Sequence, residues 1–152
     1  MVTGIDPLVR EKATAIFTGM TFLRAIGARL VDVAPGIAVL ETEHRADLCQ
    51  HQGATHPGIL SGLADAACGL AAITMQSTDR DLVAVEMKIN FVSGCAPGQL
   101  LRATGAVSRA GRTLTVCTAH LHAVTADKEE ILIALAMATM LSRPAHQEPD
   151  RG

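Results

Sequence analysis

The fold is decided by residues 50–70, which read QHQGATHPGILSGLADAACGL. A polar loop that contains Gly53 leads into a long apolar helix, and this helix carries a single acid, Asp65. Asp65 is the only Asp, Glu, Lys or Arg between Leu48 and Thr78. A helix that is apolar on nearly every side belongs inside a protein, where an isolated carboxylate is costly unless another group pairs with it or uses it. Asp65 is therefore the first candidate for a functional residue.

The spacing of small residues along this helix indicates two buried faces. One face holds four positions that follow each other at intervals of four, three and four residues, namely Gly58, Gly62, Asp65 and Gly69. Gly destabilises a helix interior, so a stripe of Gly favours the close approach of another backbone or of a ligand. The opposite face is typical of packing on a sheet and consists of Leu60, Ala64, Ala67 and Ala71. We therefore expect a partner chain or a substrate on the Gly-Asp face.

Composition indicates one globular domain with an aliphatic core. The chain has 152 residues, of which 49% are hydrophobic and 18% charged, and at this length roughly 70% of the unfolded surface can be buried. The net charge of −2 and the scarcity of aromatic residues argue against a nucleic-acid partner. The sequence predicts neither a membrane span nor a signal peptide. Its cysteines lack C-x-x-C spacing and are typical of reduced thiols, so we expect a cytoplasmic protein.

The region before the central helix predicts one short helix and two strands. Asp6-Pro7 combines an N-cap with a Pro at the first helical position, which predicts a helix to about Gly19. Residues 22–33 and 37–44 read as strands, because a turn signal at 34–36 separates two apolar runs.

The rest of the chain predicts a functional loop, the central helix and four strands. The loop at 45–56 is long for a compact domain, and long ordered loops are often functional. The central helix is expected from about Pro57 to Gln76. Hairpin turns and apolar alternation then predict strands at Leu82–Val92, Gly98–Arg109, Arg112–Thr125 and Ile131–Leu141.

These elements predict an α+β fold in which a curved antiparallel sheet of about six strands wraps a long central helix. The first strand after the helix should be half-buried, with one face formed by Val83, Val85, Met87, Ile89 and Phe91. We expect a single domain over residues 1–142. The two Pro and several charges of residues 143–152 predict a disordered tail.

This order of elements resembles the hotdog fold and, within it, the PaaI-like acyl-CoA thioesterases. That family's signature has Asn or Gln, then Gly, then His-Gly-Gly, and then an acid on the central helix. The residues that fit it here are Gln50, Gly53, His56, Gly58 and Leu63-Ala64-Asp65. Three later segments also resemble the family, namely Val85–Phe91, Gly111–Leu114 and Ala136–Thr139. The resemblance covers most of residues 20–141.

The resemblance implies hydrolysis of an acyl-CoA thioester, with an aromatic or medium-chain acyl group, and no cofactor. It implies that Asp65 is the general base or the nucleophile, that Gln50 positions water or the carbonyl, and that His56 organises the loop. Amides at the start of the central helix, with Gly58, are the implied oxyanion donors. The family assembles as a homodimer or a dimer of dimers, with the acid of one subunit opposite the Gln and His loop of the other. The residues implied to contact CoA are Ala84, Val85, Phe91, Arg109 and Arg112.

Two positions depart from the family pattern. Pro57 replaces the first Gly of His-Gly-Gly, and Pro has no N–H to offer an oxyanion. Ala84 stands where relatives often carry Ser or Thr, so a hydroxyl that could hold water or the thioester is missing. Both departures favour a second function, which is binding of acyl-CoA without turnover.

Several of these residues also fit different roles. A hotdog dehydratase acting on hydroxyacyl thioesters uses a His and an acid too, but its acid comes about two residues sooner, where this chain has Leu63. Asp65 also fits a structural role, as an alternative to the catalytic one, in which backbone N–H groups donate hydrogen bonds to its carboxylate. For Cys68, a role as a buried thiol that packs against the sheet is favoured over a role as a nucleophile. His120 and His122 share one strand face without an evident third ligand, so we expect no metal site.

Overall fold

The computed structural model describes residues 4–145 and places one long helix against one antiparallel sheet of six strands. The sheet order is β1-β2-β4-β5-β6-β3, which leaves β1 and β3 at the two edges. This is the predicted hotdog architecture, and it is confirmed. The helices are α1 (Pro7–Gly19), α2 (Thr21–Ala25) and α3 (Pro57–Ile73), and a 3-10 turn spans Ala46–Leu48. The strands are β1 (Arg29–Ala34), β2 (Ile37–Glu43), β3 (Arg80–Phe91), β4 (Leu100–Ala110), β5 (Leu114–Val124) and β6 (Glu130–Pro144).

The N-terminal helix forms as predicted, but the segment after it does not. The Asp6 carboxylate caps α1 by accepting from the Leu8 N–H at 2.8 Å, and Pro7 follows at the first helical position. The predicted strand at 22–33 is wrong in its first half, because residues 21–25 form α2. Good helix formers in this segment, and a left-handed Gly27 (φ 72°) that turns the chain into β1, explain the difference.

The central helix packs on the sheet through the face predicted for it. Leu60 is 3% exposed, and Ala64, Ala67 and Ala71 are fully buried. The helix can approach β4 closely because the sheet presents Gly105 at the contact. A Cβ at that position would lie 2.2 Å from the carbonyl oxygen of Ala67.

The central helix ends at Ile73, three residues before the predicted end at Gln76. The hydroxyl of Thr74 donates to the Ala71 carbonyl at 2.6 Å and accepts the Gly36 N–H at 2.7 Å. This side chain therefore ties the end of α3 to the β1–β2 turn, and the helix does not continue.

Strand β3 departs from the predicted alternation because it contains a bulge. Ala84 pairs with Met140 and Glu86 pairs with Thr139, so Val85 has no partner on β6 and is 54% exposed. The prediction that Val85 shares a face with Met87 and Ile89 is therefore wrong, since only the latter two pack against the core. The bulge brings Leu82 and Ala84 to the helix side of the sheet instead.

The last strand extends beyond its predicted end at Leu141 and past the predicted domain boundary at residue 142. Ser142 is buried, and its hydroxyl donates to the Gln76 side chain at 2.9 Å and accepts from Arg80 Nε at 3.1 Å. Strand β6 continues to Pro144, so the tail predicted from residue 143 is wrong for Arg143 and Pro144. The remainder of the predicted tail, from residue 146, lies outside the described residues. In the described part of the chain, no helix has the length and apolarity needed to cross a membrane.

Candidate active site

Asp65 lies near the middle of α3, on the helix face that the sheet does not cover. Its neighbours on α3 are almost all buried, whereas Asp65 itself is half-buried. Within residues 4–145, no hydrogen bond or ion pair engages its carboxylate, so the predicted structural role has no support in the described contacts. Burial raises the pKa of Asp65 above the ordinary value of an aspartate. A carboxylate in this state is a stronger base at neutral pH than an exposed one.

The Asp65 carboxylate faces a cavity of about 290 Å³ between the helices and the sheet. From α3, the cavity is lined by Asp65, Ala66, Gly69 and Ile73, and other elements contribute Ile16, Met20, Asp81, Leu82, Ala84, Met140 and Arg143. Most of these side chains are apolar. The cavity therefore offers an apolar wall with a carboxylate at one position, and with Asp81 and Arg143 at another.

Sequence reasoning identified only part of this cavity. Asp65 and Ala84 were predicted as site residues, and both line it. Ile16 and Met20 also line the cavity, and neither was predicted as a site residue. No sequence signal marks Met20, because its place in the wall depends on α1 packing against α3, a tertiary contact.

The stripe of Gly on α3 has three different explanations. A Cβ on Gly62 would lie 2.4 Å from the ring of Phe22, so this Gly makes room for a side chain of the same subunit. A Cβ on Gly58 would lie 3.0 Å from Nδ1 of His56. A Cβ on Gly69 would meet no atom within 4 Å, and Gly69 lines the cavity. Only at Gly69 does the missing side chain correspond to empty space, one turn from Asp65.

The loop before α3 is held by its own backbone bonds. The Gln50 N–H donates to the Ala54 carbonyl at 2.9 Å, and the Gln50 carbonyl accepts from the Gly53 N–H at 3.0 Å. Gly53 has φ 81°, a left-handed conformation that favours Gly at this turn. The His56 N–H donates to the Leu48 carbonyl at 2.8 Å, which closes the loop onto its own start.

The amides at the start of α3 are largely occupied. Pro57 has no N–H, the Gly58 N–H donates to Nδ1 of His56 at 2.9 Å, and the Ile59 N–H donates to the His56 carbonyl at 2.9 Å. His56 is therefore the N-cap of α3. Neither Gln50 nor His56 nor Gly58 is among the described residues that line the Asp65 cavity. In a single chain, the structure brings Asp65 together with Ala84 and leaves the predicted loop residues apart from them.

The other residues predicted to contact CoA lie on exposed surface. Val85 projects from the bulge of β3, and Phe91 is 46% exposed at the end of the same strand. Arg109 and Arg112 are exposed on either side of the β4–β5 turn, where the Gly111 N–H donates to the Leu114 carbonyl at 2.9 Å. Neither arginine takes part in an ion pair among residues 4–145.

The remaining candidates do not form a second reaction centre. Cys68 is fully buried, and burial, with smaller contributions from Cys117 and Asp65, raises its pKa to about 12. Such a thiol stays protonated, in agreement with a packing role. The rings of His120 and His122 are 6.5 Å apart and edge-on. Among the described residues, no group of three or more His, Cys, Asp or Glu could hold a metal ion.

Comparison with known proteins places this geometry in a family. The sequence profile of the thioesterase superfamily matches residues 52–129. A thioesterase family protein from Silicibacter pomeroyi is 33% identical, with a TM-score of 0.85 over 90% of this chain and 99% of that one. A mutant of the phenylacetic acid degradation protein PaaI from Thermus thermophilus is 27% identical, with a TM-score of 0.71 over 80% and 97% of the two chains. Streptococcus mutans smu.793, whose structure has acetyl-CoA bound, is 24% identical, with a TM-score of 0.68 over 79% and 91%.

The chain belongs to the thioesterase superfamily, since the profile match spans just over half of the chain and covers the end of the loop before α3, all of α3 and strands β3, β4 and β5. Within the superfamily it is a PaaI-like hotdog protein. The resemblance inferred from residues 50–70 is thereby confirmed, and hydrolysis of thioesters is the activity of the family.

Proposed function

We propose that this protein is an acyl-CoA thioesterase in which Asp65 is the catalytic base. The observation that carries the proposal is the carboxylate of Asp65, which is half-buried, has no bonding partner among the described residues and faces an apolar cavity of about 290 Å³. A carboxylate without a partner in such a place costs stability, and groups held at this cost are concentrated at functional sites. The cavity approaches the lower end of ligand pockets, about 300 Å³.

The proposed reaction needs only water and the residues at this site. Asp65 takes a proton from a water molecule, and the oxygen attacks the thioester carbon, so that a C–O bond forms and an oxyanion develops. When the oxyanion collapses, the C–S bond breaks and the CoA thiolate takes the proton from Asp65. The products are the free acid and CoA. Direct attack by the carboxylate, through an anhydride, is the second route that the predicted role of Asp65 leaves open.

The position of Gly58 supports a site built from two subunits. Gly58 and Asp65 are seven residues apart on one helix, which is about 10 Å along its axis. An oxyanion donor has to lie about 3 Å from the reacting oxygen, so both residues of one chain cannot serve the same carbonyl. The family arrangement, with the Gln50 and His56 loop of a second copy opposite Asp65, removes this conflict. We therefore propose a homodimer, or a dimer of dimers, with shared sites.

Strand β3 is the surface that we propose for the dimer contact. It has 12 residues, lies at the edge of the sheet and exposes the apolar Val85 and Phe91. An exposed edge strand of this length is a template for pairing with another strand. Pairing of two β3 strands would join two sheets and bury both apolar side chains.

For the CoA portion, we propose contacts from the surface near the site. Arg109 and Arg112 make no ion pair among the described residues, and guanidinium groups suit phosphate. Ala84 lines the cavity, Val85 is exposed next to it on β3, and Phe91 is exposed at the end of the same strand. The acetyl-CoA bound by the Streptococcus mutans relative supports a CoA thioester as the ligand class.

For the acyl portion, we propose an aromatic or medium-chain group in the cavity. From Asp65 to Ile73, the α3 wall extends over eight residues, or about 12 Å. Beyond Asp65 this wall and its partners Ile16, Met20 and Leu82 are apolar, and the other charged lining residues are Asp81 and Arg143. We keep the cytoplasm as the proposed compartment, because all four cysteines are free thiols.

Binding of acyl-CoA without turnover is the second candidate, and one observation favours it. At residues 57–59, the first turn of α3 has no amide that is free to bind an oxyanion. Pro57 lacks an N–H, the Gly58 N–H donates to the imidazole of His56, and the Ile59 N–H donates to the His56 carbonyl. Loss of one oxyanion donor costs about 3 kcal/mol of transition-state stabilisation. The two functions are distinguished by measuring thiol release and CoA binding on the same protein, with Asp65→Asn as the matched variant. Turnover that depends on Asp65 supports the thioesterase, and binding without thiol release supports the binder.

A further inference from the structure

Phe22 is a large aromatic residue that the fold leaves half-exposed on the same face of α3 as Asp65. It belongs to α2 and is 49% exposed. Three carbons of its ring, Cε1, Cζ and Cδ1, would lie 2.4, 2.9 and 3.5 Å from a Cβ placed on Gly62. The ring therefore occupies the space that a side chain at Gly62 would take, and its other side is open to solvent.

Other residues of the same segment anchor α2 to the core. Leu23 is 1% exposed and Ile26 is 4% exposed. The Ile26 carbonyl accepts the Thr42 hydroxyl at 2.7 Å, which ties the end of α2 to β2. The Ile26 N–H donates to the Phe22 carbonyl at 3.1 Å, so the backbone of Phe22 is fixed by the same turn. Removal of the Phe22 ring would leave all of these anchors in place.

Along the axis of α3, Asp65 separates the Phe22 ring from the cavity. Gly62 precedes Asp65 by three residues, so the two positions are neighbours on one helix face, about 5–6 Å apart at Cβ. The other α3 residues that line the cavity all follow Asp65 and are Ala66, Gly69 and Ile73. Phe22 is not among the lining residues. The ring and the cavity therefore flank the Asp65 carboxylate from opposite ends.

An acyl-CoA is divided in the same way at its reacting carbon. The acyl group extends from this carbon in one direction, and the sulfur with the pantetheine arm of CoA extends in the other. The proposed function puts the reacting carbon next to Asp65 and the acyl group in the cavity. The sulfur and the first atoms of the arm then lie on the side of Asp65 that carries Gly62 and the Phe22 ring. Contacts between sulfur and an aromatic ring are favourable.

We propose that the Phe22 ring binds the thiol end of CoA, namely the sulfur and the adjoining cysteamine portion, and so orients the thioester across Asp65 with its acyl group toward the cavity. The inference rests on the proposed function for the identity of the ligand. Every acyl-CoA shares this end, so the contact should contribute equally whatever the acyl group is. Gly62 then has a function as well, because a side chain at this position would displace the ring.

The first test measures binding of S-octyl-CoA, a thioether that cannot be hydrolysed, by isothermal titration calorimetry. Phe22→Ala should raise Kd by roughly tenfold, the upper range for a contact between sulfur and an aromatic ring. It should raise Kd by the same factor for S-octyl-pantetheine, which lacks the nucleotide. Leu8→Ala is the matched control, since Leu8 is 62% exposed on α1 and does not line the cavity. An unchanged Kd in Phe22→Ala, or a loss confined to the CoA form, would overturn the proposal.

Gly62→Ala tests the same contact by moving the ring instead of removing it. The added Cβ would lie 2.4 Å from the ring, so the ring has to shift away from α3. This variant should raise Kd for S-octyl-CoA when Phe22 is present and should have no further effect in Phe22→Ala, where no ring is left to displace. Ala favours a helix more than Gly does, and circular dichroism verifies that both variants are folded. Effects of the two substitutions that simply add would contradict the proposed contact.

Steady-state kinetics separates this inference from the proposed function. Phe22→Ala should raise KM by a similar factor for acetyl-, medium-chain and arylacetyl-CoA and change kcat less, as expected when a contact binds substrate and transition state alike. If the wild type hydrolyses none of them, the proposed function fails, and the thioether measurements still decide the role of Phe22. A loss in Phe22→Ala that grows with acyl length would place the ring at the acyl group. A smaller mass of this variant in light scattering would place the ring in a subunit contact, and either result overturns the proposal.

Discussion

At the scale of single residues, Asp65 should lower stability while it serves catalysis. Burial raises its pKa in the folded state, so the folded protein holds this proton more tightly than the unfolded chain does. The stability associated with Asp65 is therefore full below the unfolded pKa and is lost as the pH rises through the folded pKa. At neutral pH the ionised carboxylate is the destabilising form.

The upward shift of the Asp65 pKa leads to a prediction for the stability of Asp65→Asn. The variant cannot ionise, so its Tm should equal or exceed that of the wild type at pH 7, and the difference should shrink as the pH approaches 4. Thermal unfolding followed by circular dichroism at both pH values measures it. A variant that is less stable at pH 7 than at pH 4, relative to the wild type, would mean that the carboxylate has a structural partner.

Pro57 gives a second prediction at this scale. In Pro57→Gly a new N–H appears at the first position of α3, where the amides of Gly58 and Ile59 are already bonded. If the missing donor limits the reaction, kcat should rise by about tenfold to a hundredfold, part of what an oxyanion donor supplies. Steady-state kinetics on one acyl-CoA provide the measurement. A lower kcat would show that Pro57 shapes the loop productively.

Single residues could be predicted from the sequence where local spacing carried the information. Asp65 was identified because a lone acid in an apolar helix is unusual, and the structure places it on a cavity. The reason for Gly62 could not be predicted, because it depends on the ring of Phe22 from another element.

At the scale of elements, α3 combines a packed face with a face that borders empty space. The packed face depends on Gly105 of the sheet, and the open face on Gly69. Both positions are Gly, but a side chain at Gly105 would collide with backbone and one at Gly69 would enter the cavity.

Gly69→Leu is therefore predicted to fold and to lose its larger substrates. The added side chain replaces a residue that costs a helix about 1 kcal/mol, so stability should not fall. It should lower kcat/KM for aromatic and medium-chain acyl-CoAs while leaving acetyl-CoA nearly unchanged, because the side chain occupies space that only the larger groups need. Gly19→Leu is the matched control, since a Cβ there also meets no atom within 4 Å but lies outside the cavity. Equal loss for all acyl lengths would contradict this assignment of the cavity.

Elements could be predicted wherever caps and turns mark their ends. Asp6-Pro7 marked the start of α1, and Pro57 marked the start of α3. The bulge at Val85 could not be predicted, because an unbroken alternation of residue types gave no sign of it. The strand predicted at 22–33 was wrong in its first half for a similar reason, since an apolar run of this length fits a strand as well as a short helix.

At the scale of the whole molecule, the proposed catalysis requires a second copy of the chain. The reacting carbonyl cannot reach both Asp65 and the start of α3 within one subunit, and β3 offers an exposed apolar edge. The homodimer itself was predicted only through resemblance, because the Gly stripe of α3 predicts the approach of a partner chain or a substrate without distinguishing the two.

Val85→Asp is predicted to break the dimer without unfolding the subunit. Val85 is 54% exposed at the bulge, so a charge there is solvated in the monomer and buried in the proposed contact. Light scattering after size exclusion should give twice the chain mass of 15.9 kDa, or a higher even multiple, for the wild type and a smaller mass for the variant. Val31→Asp is the matched control on the opposite edge strand, where Val31 is 52% exposed. A change of mass in the control but not in Val85→Asp would place the contact elsewhere.

The central claim is that the protein hydrolyses an acyl-CoA with Asp65 as its catalytic residue, and one measurement tests this claim most directly. Free thiol is followed in time with acetyl-, medium-chain and arylacetyl-CoA, for the wild type and Asp65→Asn at equal concentration. We predict release from the medium-chain or aromatic substrate and a loss of at least about a hundredfold in the variant, the minimum expected for a positioned base. An unchanged rate in Asp65→Asn, or no thiol release from any substrate by a protein that binds CoA, would contradict the claim.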